Sequence, residues 1–328
     1  MDRIRIAQIG TGHGHAAGKM QVYRRSPDFE VVGLAEPNAA RRDQLAKDRA
    51  YRDIPVLSVE ELLDLKGLQA VAIETDVRDL LTHAEACVER RLPIHLDKPA
   101  GESLLQFRRI LDTATKAHIP VQMGYMYRYN PAFVMLREYL SKGWLGEPFE
   151  VHAVMSKVVG PADRKELAGY PGGMMFELGC HLIDALIDVL GPCDKITPFV
   201  RSSTTVNDGL ADNMLAVFEY PRATATVRSS ALEVEGFSRR HFVVCGTEGT
   251  FHIEPLDRPT VRLALSRPRG SAKRGVQTVE IAPYDRYLAD AADFADCIRT
   301  NRPLRWTPMH DLAVQEAVLR ASGCPLDR

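Results

Sequence analysis

Short runs rich in β-branched residues alternate with longer, more polar stretches along the first 125 residues. The runs are IRIAQI (4–9), FEVVGLA (29–35), QAVAIET (69–75), PIHLDK (93–98) and IPVQMGY (119–125), with a weaker candidate near Val56. Strand-like runs separated by helical stretches predict a parallel sheet wrapped by crossover helices. Two of those stretches read as helices: NAARRDQLAKDRA, and SVEELLDL, where Ser58 and Glu61 have capping-box spacing. This half, 1–123, is expected to be a doubly wound α/β domain.

Beyond Tyr125 the rhythm changes. A helix is predicted over 131–142, then the run FEVHAVMSKV, then a glycine-rich entry into a helix at about 174–190. The runs KITPFVRSS, MLAVFEY, ATATVRSSALEV, RHFVVCG, TFHIEP, VRLALS and QTVEIA follow with only short turns between them. Strands in direct succession should pair as an open, mostly antiparallel sheet, so 124–328 is expected to be an α+β domain. Two closing helices, about 286–300 and 309–322, would cover that sheet or return to the first domain. The basic segment SRPRGSAKRG (266–275) reads as a solvated hairpin loop.

Composition narrows the class. The chain has 328 residues, 45% hydrophobic and 26% charged, with 42 Lys+Arg against 43 Asp+Glu. The length suits two domains with separate cores, the composition excludes disorder and fibres, and the charge balance argues against a nucleic-acid partner. The amino terminus lacks a secretory-signal pattern, and no apolar stretch reaches the length of a membrane span. Six scattered cysteines without a Cys-x-x-Cys pair fit a reduced, cytoplasmic setting.

In an open parallel sheet, ligands bind beyond the carboxyl ends of the strands, where the unpaired N–H groups of helix amino termini converge. The first strand runs into Gly10-Thr11-Gly12-His13-Gly14-His15. Gly10 permits a tight turn and Gly12 allows a pyrophosphate to approach the backbone, although His15 holds the third glycine position and Gly14 comes one residue early. The competing reading is a flexible strand-to-helix turn. Glu36 ends the second strand, where a carboxylate accepts ribose hydroxyls and repels a 2′-phosphate, which favours NAD over NADP; Arg41-Arg42 is the opposing signal.

Two further constellations carry acid–base chemistry. Asp97-Lys98-Pro99 places an ammonium at a strand end, where it could steady negative charge on a reacting oxygen, the alternative being a surface lysine. In PGGMMFELGCHLIDALIDVLG, helical spacing would align Glu177, His181 and Asp184 on one face if the helix has begun by Glu177. An imidazole there can accept a hydroxyl proton, with a carboxylate orienting the ring. Glu177 and His181 could also be a metal pair, but no further ligand stands at zinc-like spacing, so no metal is expected.

Together the glycine turn, Asp97-Lys98-Pro99, GYMYRYNP (124–131) and GGMMFELGCHLIDALIDVLG resemble the Gfo/Idh/MocA oxidoreductases. The resemblance implies a Rossmann domain, an α+β domain whose open sheet makes homo-oligomer contacts in dimers or tetramers, and tightly held NAD(H) or NADP(H). It makes Lys98 and His181 the catalytic pair, with Glu177 replacing the usual aspartate and touching either the histidine or the substrate. It maps cofactor contacts onto Gly10, Gly12, His13, Gly14, His15, Glu36, Thr75, Asp97, Lys98 and Arg128, and it points to His83 on the next helix. Substrate contacts fall on Lys98, Tyr127, Glu177, His181 and Asp184, with Tyr125 beside them. The sequence departs at Asp97, where the family has glutamate, and at Glu74-Thr75-Asp76, where Thr-Pro-Asn is usual. The expected activity is hydride transfer between NAD and a secondary hydroxyl of a sugar, polyol or related cyclic alcohol. The alternatives are transient oxidation by bound NAD and a nucleotide-binding sensor without chemistry.

Overall fold

The computed structural model describes residues 2–326. Its first sheet has six parallel strands: β1 (Ile4–Ile9), β2 (Phe29–Ala35), β3 (Val56–Leu57), β4 (Ala70–Ile73), β5 (Ile94–Leu96) and β6 (Val121–Met123). Their order is β3-β2-β1-β4-β5-β6. Every residue of β4, β5 and β6 is buried, as befits strands covered on both faces. The helices between them show the matching stripe. Leu104, Phe107, Ile110, Leu111 and Ala114 are the buried residues of the helix Leu104–Lys116, whose cap Ser103 accepts from Gln106 N. Each of the large side chains contributes about 1.5–3 kcal/mol by leaving water.

The observed strands stop short of the runs in the sequence. Glu74, Thr75, Asp97, Lys98 and Gly124 all lie just past their strands' last residues. Even so, Glu74 N donates to Ile9 O, Asp97 N to Ile73 O and Gly124 N to Leu96 O, so the ladder holds these strand ends in place. The stretch after Glu36 differs from expectation. A short helix, Ala39–Arg42, capped by Asn38, is followed by a single tight turn, Leu45–Lys47, in which only Leu45 is buried. With one apolar anchor, there is no stripe to sustain a long helix. The Ser58–Glu61 capping box is present with both hydrogen bonds, but on a helix of only Val59–Leu63.

The chain divides into two compact units: residues up to Met126 with Asp285–Leu312, and Tyr127–Tyr284 with Ala313–Leu326. The expected boundary at 123/124 is therefore three residues early, and the first closing helix, Leu288–Thr300, belongs to the first unit and not to 124–328. Its Ala291, Phe294 and Ala295 pack with Ile4, Ile6, Tyr23 and Phe29 in one apolar cluster.

The second unit holds an eight-stranded sheet: β7 (Pro148–Val154), β8 (Lys195–Arg201), β9 (Asn213–Glu219), β10 (Thr224–Ser230), β11 (His241–Gly246), β12 (Gly249–Ile253), β13 (Thr260–Leu265) and β14 (Gly275–Glu280). Its order is β14-β13-β12-β11-β7-β10-β9-β8, antiparallel except for the parallel pair β7–β10. That exception arises because the helices Pro161–Leu167 and Cys180–Leu190 separate β7 from the later strands, and β7 lies in the middle of a sheet whose other strands follow one another. The basic segment between β13 and β14 is a hairpin, closed by mutual backbone bonds between Arg269 and Ala272, with Arg267 and Arg269 both paired to Glu248. Among the described residues no helix is long and apolar enough to cross a membrane.

Candidate active site

At the carboxyl ends of β1, β4 and β5 the first unit gathers an unusual density of buried charge. Gly10 has φ +87°, and a Cβ there would lie 2.5–2.6 Å from the side chain and backbone of Thr75. Only glycine satisfies both the left-handed backbone and this approach of β1 to β4. Gly10→Ala is therefore expected to lower the melting temperature by several degrees. Gly14→Ala, where a Cβ meets nothing within 4 Å, should leave it within a degree, and thermal unfolding of the two variants checks the contrast. Glu36 ties the turn down from β2: one carboxylate oxygen accepts from Thr11 N (2.6 Å) and Thr11 Oγ1 (2.5 Å), the other from Asn38 N (2.8 Å). Arg41 reaches back across Gly12 to form a two-pronged pair with Asp76 at 2.6 and 2.8 Å. A cavity of about 340 Å³ opens beside this turn, lined by Thr11, His13 and Gly14 on one side and by Arg41, Asp48 and Tyr51 among others on the opposite side.

The helix Ala16–Arg25 follows, and its Lys19 is almost wholly buried. Lys19 Nζ lies 2.8 Å from Glu74 Oε1 and 3.1 Å from Asp97 Oδ1. Burial works against the ammonium, but Asp97 and then Glu74 outweigh it and hold Lys19 protonated well above the ordinary lysine range. Burial likewise works against Asp97, yet His13, Lys19 and His15 together keep its carboxyl well below the usual range. Glu74 goes the other way, raised by burial and by its neighbour Asp97. Asp97 Oδ1 also accepts from Lys98 N at 2.8 Å, so the carboxylate fixes the backbone that carries Lys98, itself fully buried. Gly124 closes the cluster: a Cβ there would stand 2.4 Å from Lys19 Nζ and 2.9 Å from Asp97 Oδ1. Lys19 and Glu74 were not singled out from sequence. The one available signal was a lysine among Ala16, Met20 and Tyr23 on the apolar stripe of its helix.

In the second unit, Met175–Gly179 forms a π-helical turn that runs into the α-helix Cys180–Leu190. The helical turns have therefore begun by Glu177, which lies inside the π turn, whereas His181 and Asp184 lie on the α-helix that follows. Glu177 is half-buried, whereas His181 and Asp184 are buried. Arg128 grips Asp184 with Nη2 at 2.7 Å and Nε at 3.1 and 3.2 Å. Arg137 adds a pair with Asp188 at 3.2 Å and also donates to Arg128 O. Tyr127 stacks on Phe133, ring centroids 5.2 Å apart, and presents its ring edge-on to His181 at 5.7 Å. Thus His181, Asp184, Arg128 and Tyr127 form one buried group, and Glu36, His13, His15, Asp97 and Lys98, with Gly10, Gly12, Gly14 and Thr75, belong to another in the first unit.

The comparisons with known proteins cover both units. Residues 4–125 match the family model described as the oxidoreductase family, NAD-binding Rossmann fold, and residues 133–252 match the GFO/IDH/MocA C-terminal domain. Scyllo-inositol 2-dehydrogenase (NAD(+)) of Bacillus subtilis is 22% identical over 313 residues, 92% of this chain and 87% of the relative. Inositol 2-dehydrogenase 1 of Saccharopolyspora erythraea is 26% identical over 339 residues, 99% of this chain and 96% of the relative. Among solved structures, an oxidoreductase from Agrobacterium radiobacter in complex with NAD+, L-tartaric acid and magnesium superimposes with a TM-score of 0.83 at 17% identity, covering 98% of this chain and 97% of the other. At that identity the superposition speaks for the fold alone.

Proposed function

The chain belongs to the GFO/IDH/MocA family of oxidoreductases, and on that premise we propose that it is an NAD-dependent dehydrogenase acting on a secondary hydroxyl of a polyol, sugar or related cyclic alcohol. One observation carries this reading: the glycine turn, Glu36, Thr75 and Asp97-Lys98 converge at the carboxyl ends of adjacent parallel strands, the place where such sheets bind ligands. The residues fit a dinucleotide. Gly14 is open, the cavity over the turn has room for a nucleoside, and Glu36 places a carboxylate at the end of β2.

When bound, the nicotinamide supplies the hydride acceptor or donor. Lys98 donates a hydrogen bond to the reacting oxygen and steadies its negative charge, which a buried ammonium does more effectively than one in water. His181 takes up the hydroxyl proton in oxidation and returns it in reduction. Tyr127 holds the imidazole edge-on, and Arg128 and Asp184 fix the floor beneath it, acting as positioning residues. Glu177, at the π turn, contacts the substrate. The inositol dehydrogenases among the relatives favour a cyclic polyol as the first substrate to try.

A screen of inositols, sugars and sugar acids, followed at the nicotinamide absorbance band with both cofactors, tests the reading. Reduction of NAD+ by at least one polyol is expected, with kcat/KM for NAD+ at least ~10-fold above that for NADP+, because Glu36 would stand against a 2′-phosphate. Glu36→Gln should narrow that ratio by raising activity with NADP+. Failure of NADH and NADPH to quench intrinsic fluorescence at micromolar concentration would remove the cofactor assignment. Cofactor that co-purifies with the protein, without net reduction, would instead assign transient oxidation within one turnover, and binding without any chemistry would assign a sensor. The same reading includes self-association through the exposed face of the eight-stranded sheet, where Phe199 and Val276 reach solvent; light scattering of the purified chain measures it.

A further inference from the structure

The two histidines of the glycine turn have a geometry that phosphate binding does not explain. His13 Nδ1 lies 2.6 Å from Asp97 Oδ2, and His15 Nδ1 lies 3.6 Å from Asp97 Oδ1. The two imidazole rings are 4.7 Å apart at their centroids and tilted by 52°. One ligand atom from each residue falls within 4.8 Å of the others. His13 Nδ1 and Asp97 Oδ2 are both buried and face each other at ion-pair distance. Two imidazoles and a carboxylate gathered this closely are a donor set that a single cation could bridge in place of the ring-to-carboxylate contacts.

We propose that His13, His15 and Asp97 form a binding site for a divalent transition-metal ion of the zinc class. Two imidazole nitrogens and one carboxylate oxygen, with water as the fourth ligand, are a donor set such ions accept. Tetrahedral zinc with bonds near 2.0–2.1 Å holds neighbouring ligand atoms about 3.3 Å apart. One ligand atom from each residue already lies within 4.8 Å of the others, and the 2.6 Å spacing between His13 Nδ1 and Asp97 Oδ2 needs to open by well under 1 Å. The carboxylate is also held as metal-ligating carboxylates usually are: Asp97 Oδ1 is engaged by Lys98 N and Lys19 Nζ, which leaves Oδ2 directed to the site. Lys19 and the amino terminus of the helix Ala16–Arg25 oppose a dication, so the affinity should be micromolar and not that of a structural zinc. The sequence conceals this site because Asp97 stands far along the chain from the two histidines.

The test uses the purified full-length chain, stripped of metal, with Co2+ as spectroscopic probe and Zn2+ as competitor in a chromophoric chelator assay. The expected result is one ion per chain and a visible cobalt spectrum of low-symmetry, four-coordinate type that Zn2+ abolishes. His15→Gln and His13→Ala should each weaken binding at least tenfold. His15 is partly exposed, so His15→Gln is expected to fold; if His13→Ala does not, the wild-type spectrum and His15→Gln decide. Absence of stoichiometric binding at micromolar Zn2+, or binding unchanged in His15→Gln, overturns the proposal. No nicotinamide enters the assay, so its outcome is independent of the cofactor reading. That zinc would compete with a dinucleotide at the turn is a consequence resting on both.

Discussion

His181→Gln and Lys98→Met are each expected to cut turnover on the substrate found by the polyol screen by roughly two to four orders of magnitude. NADH should still quench fluorescence with near-wild-type affinity in His181→Gln, because that residue is assigned to proton transfer and not to the cofactor. His181 is the more informative of the two. It is buried against Tyr127, and glutamine keeps most of the ring's volume and polarity while being unable to exchange a proton near neutral pH. A packing role alone would appear as a lowered melting temperature with kcat largely preserved; loss of kcat with unchanged KM and unchanged melting is the signature of a group used in the transition state. The double variant should be little worse than the poorer single one, since the roles proposed for them serve one chemical step. Turnover within a few fold of wild type in both single variants removes the catalytic assignment and leaves the fold and family untouched.

The parts of the molecule legible in the sequence are those whose cause is local. The parallel strands are short apolar runs because nothing but buried backbone and side chains surrounds them, as in β4 and β5. Ser58 and Glu61 predict their mutual hydrogen bonds because capping needs only three residues of spacing. The residues after Glu36 misled for the converse reason. They have helical composition, but a single apolar anchor, Leu45, and helical propensity without a buried stripe does not extend a helix. The π turn before Cys180 was also hidden, since nothing in MFELG distinguishes i→i+5 from i→i+4 bonding until its packing is known. The passage of 285–312 to the first unit was one of two open alternatives; it depended on a patch formed by Ile4, Ile6 and Phe29 that no stretch of sequence displays. At the candidate site the motif residues could be named one by one, but their partnerships could not. That Glu36 grips Thr11, that Arg128 holds Asp184, and that Lys19 stands between Glu74 and Asp97 are facts of tertiary approach.

Lys19→Met should be the most destabilising single substitution among these, at about 3–5 kcal/mol, the cost of breaking a buried ion pair from one side. Methionine matches the lysine stem in length and leaves Glu74 and Asp97 without their shared cation, both fully out of contact with water. For a domain of this size the loss corresponds to a drop in melting temperature of roughly 10 °C or more. The sign of its pH dependence follows from linkage. In the variant Glu74, already raised by burial and by Asp97, loses the cation that lowers it, so its folded-state carboxyl titrates above that of the unfolded chain, and the stability its protonated form retains is present at low pH and is lost as pH rises. The gap between variant and wild type should therefore be narrower in mildly acidic than in alkaline buffer, because protons stand in for the missing ammonium. Adding Glu74→Leu to Lys19→Met should recover part of the loss, since an apolar pair replaces a buried charge left alone. Thermal or urea unfolding across that pH range measures all three effects. Melting of Lys19→Met within about a degree of wild type, unchanged by pH, would show that the charge cluster at the ends of β1, β4 and β5 does not hold those strand ends together.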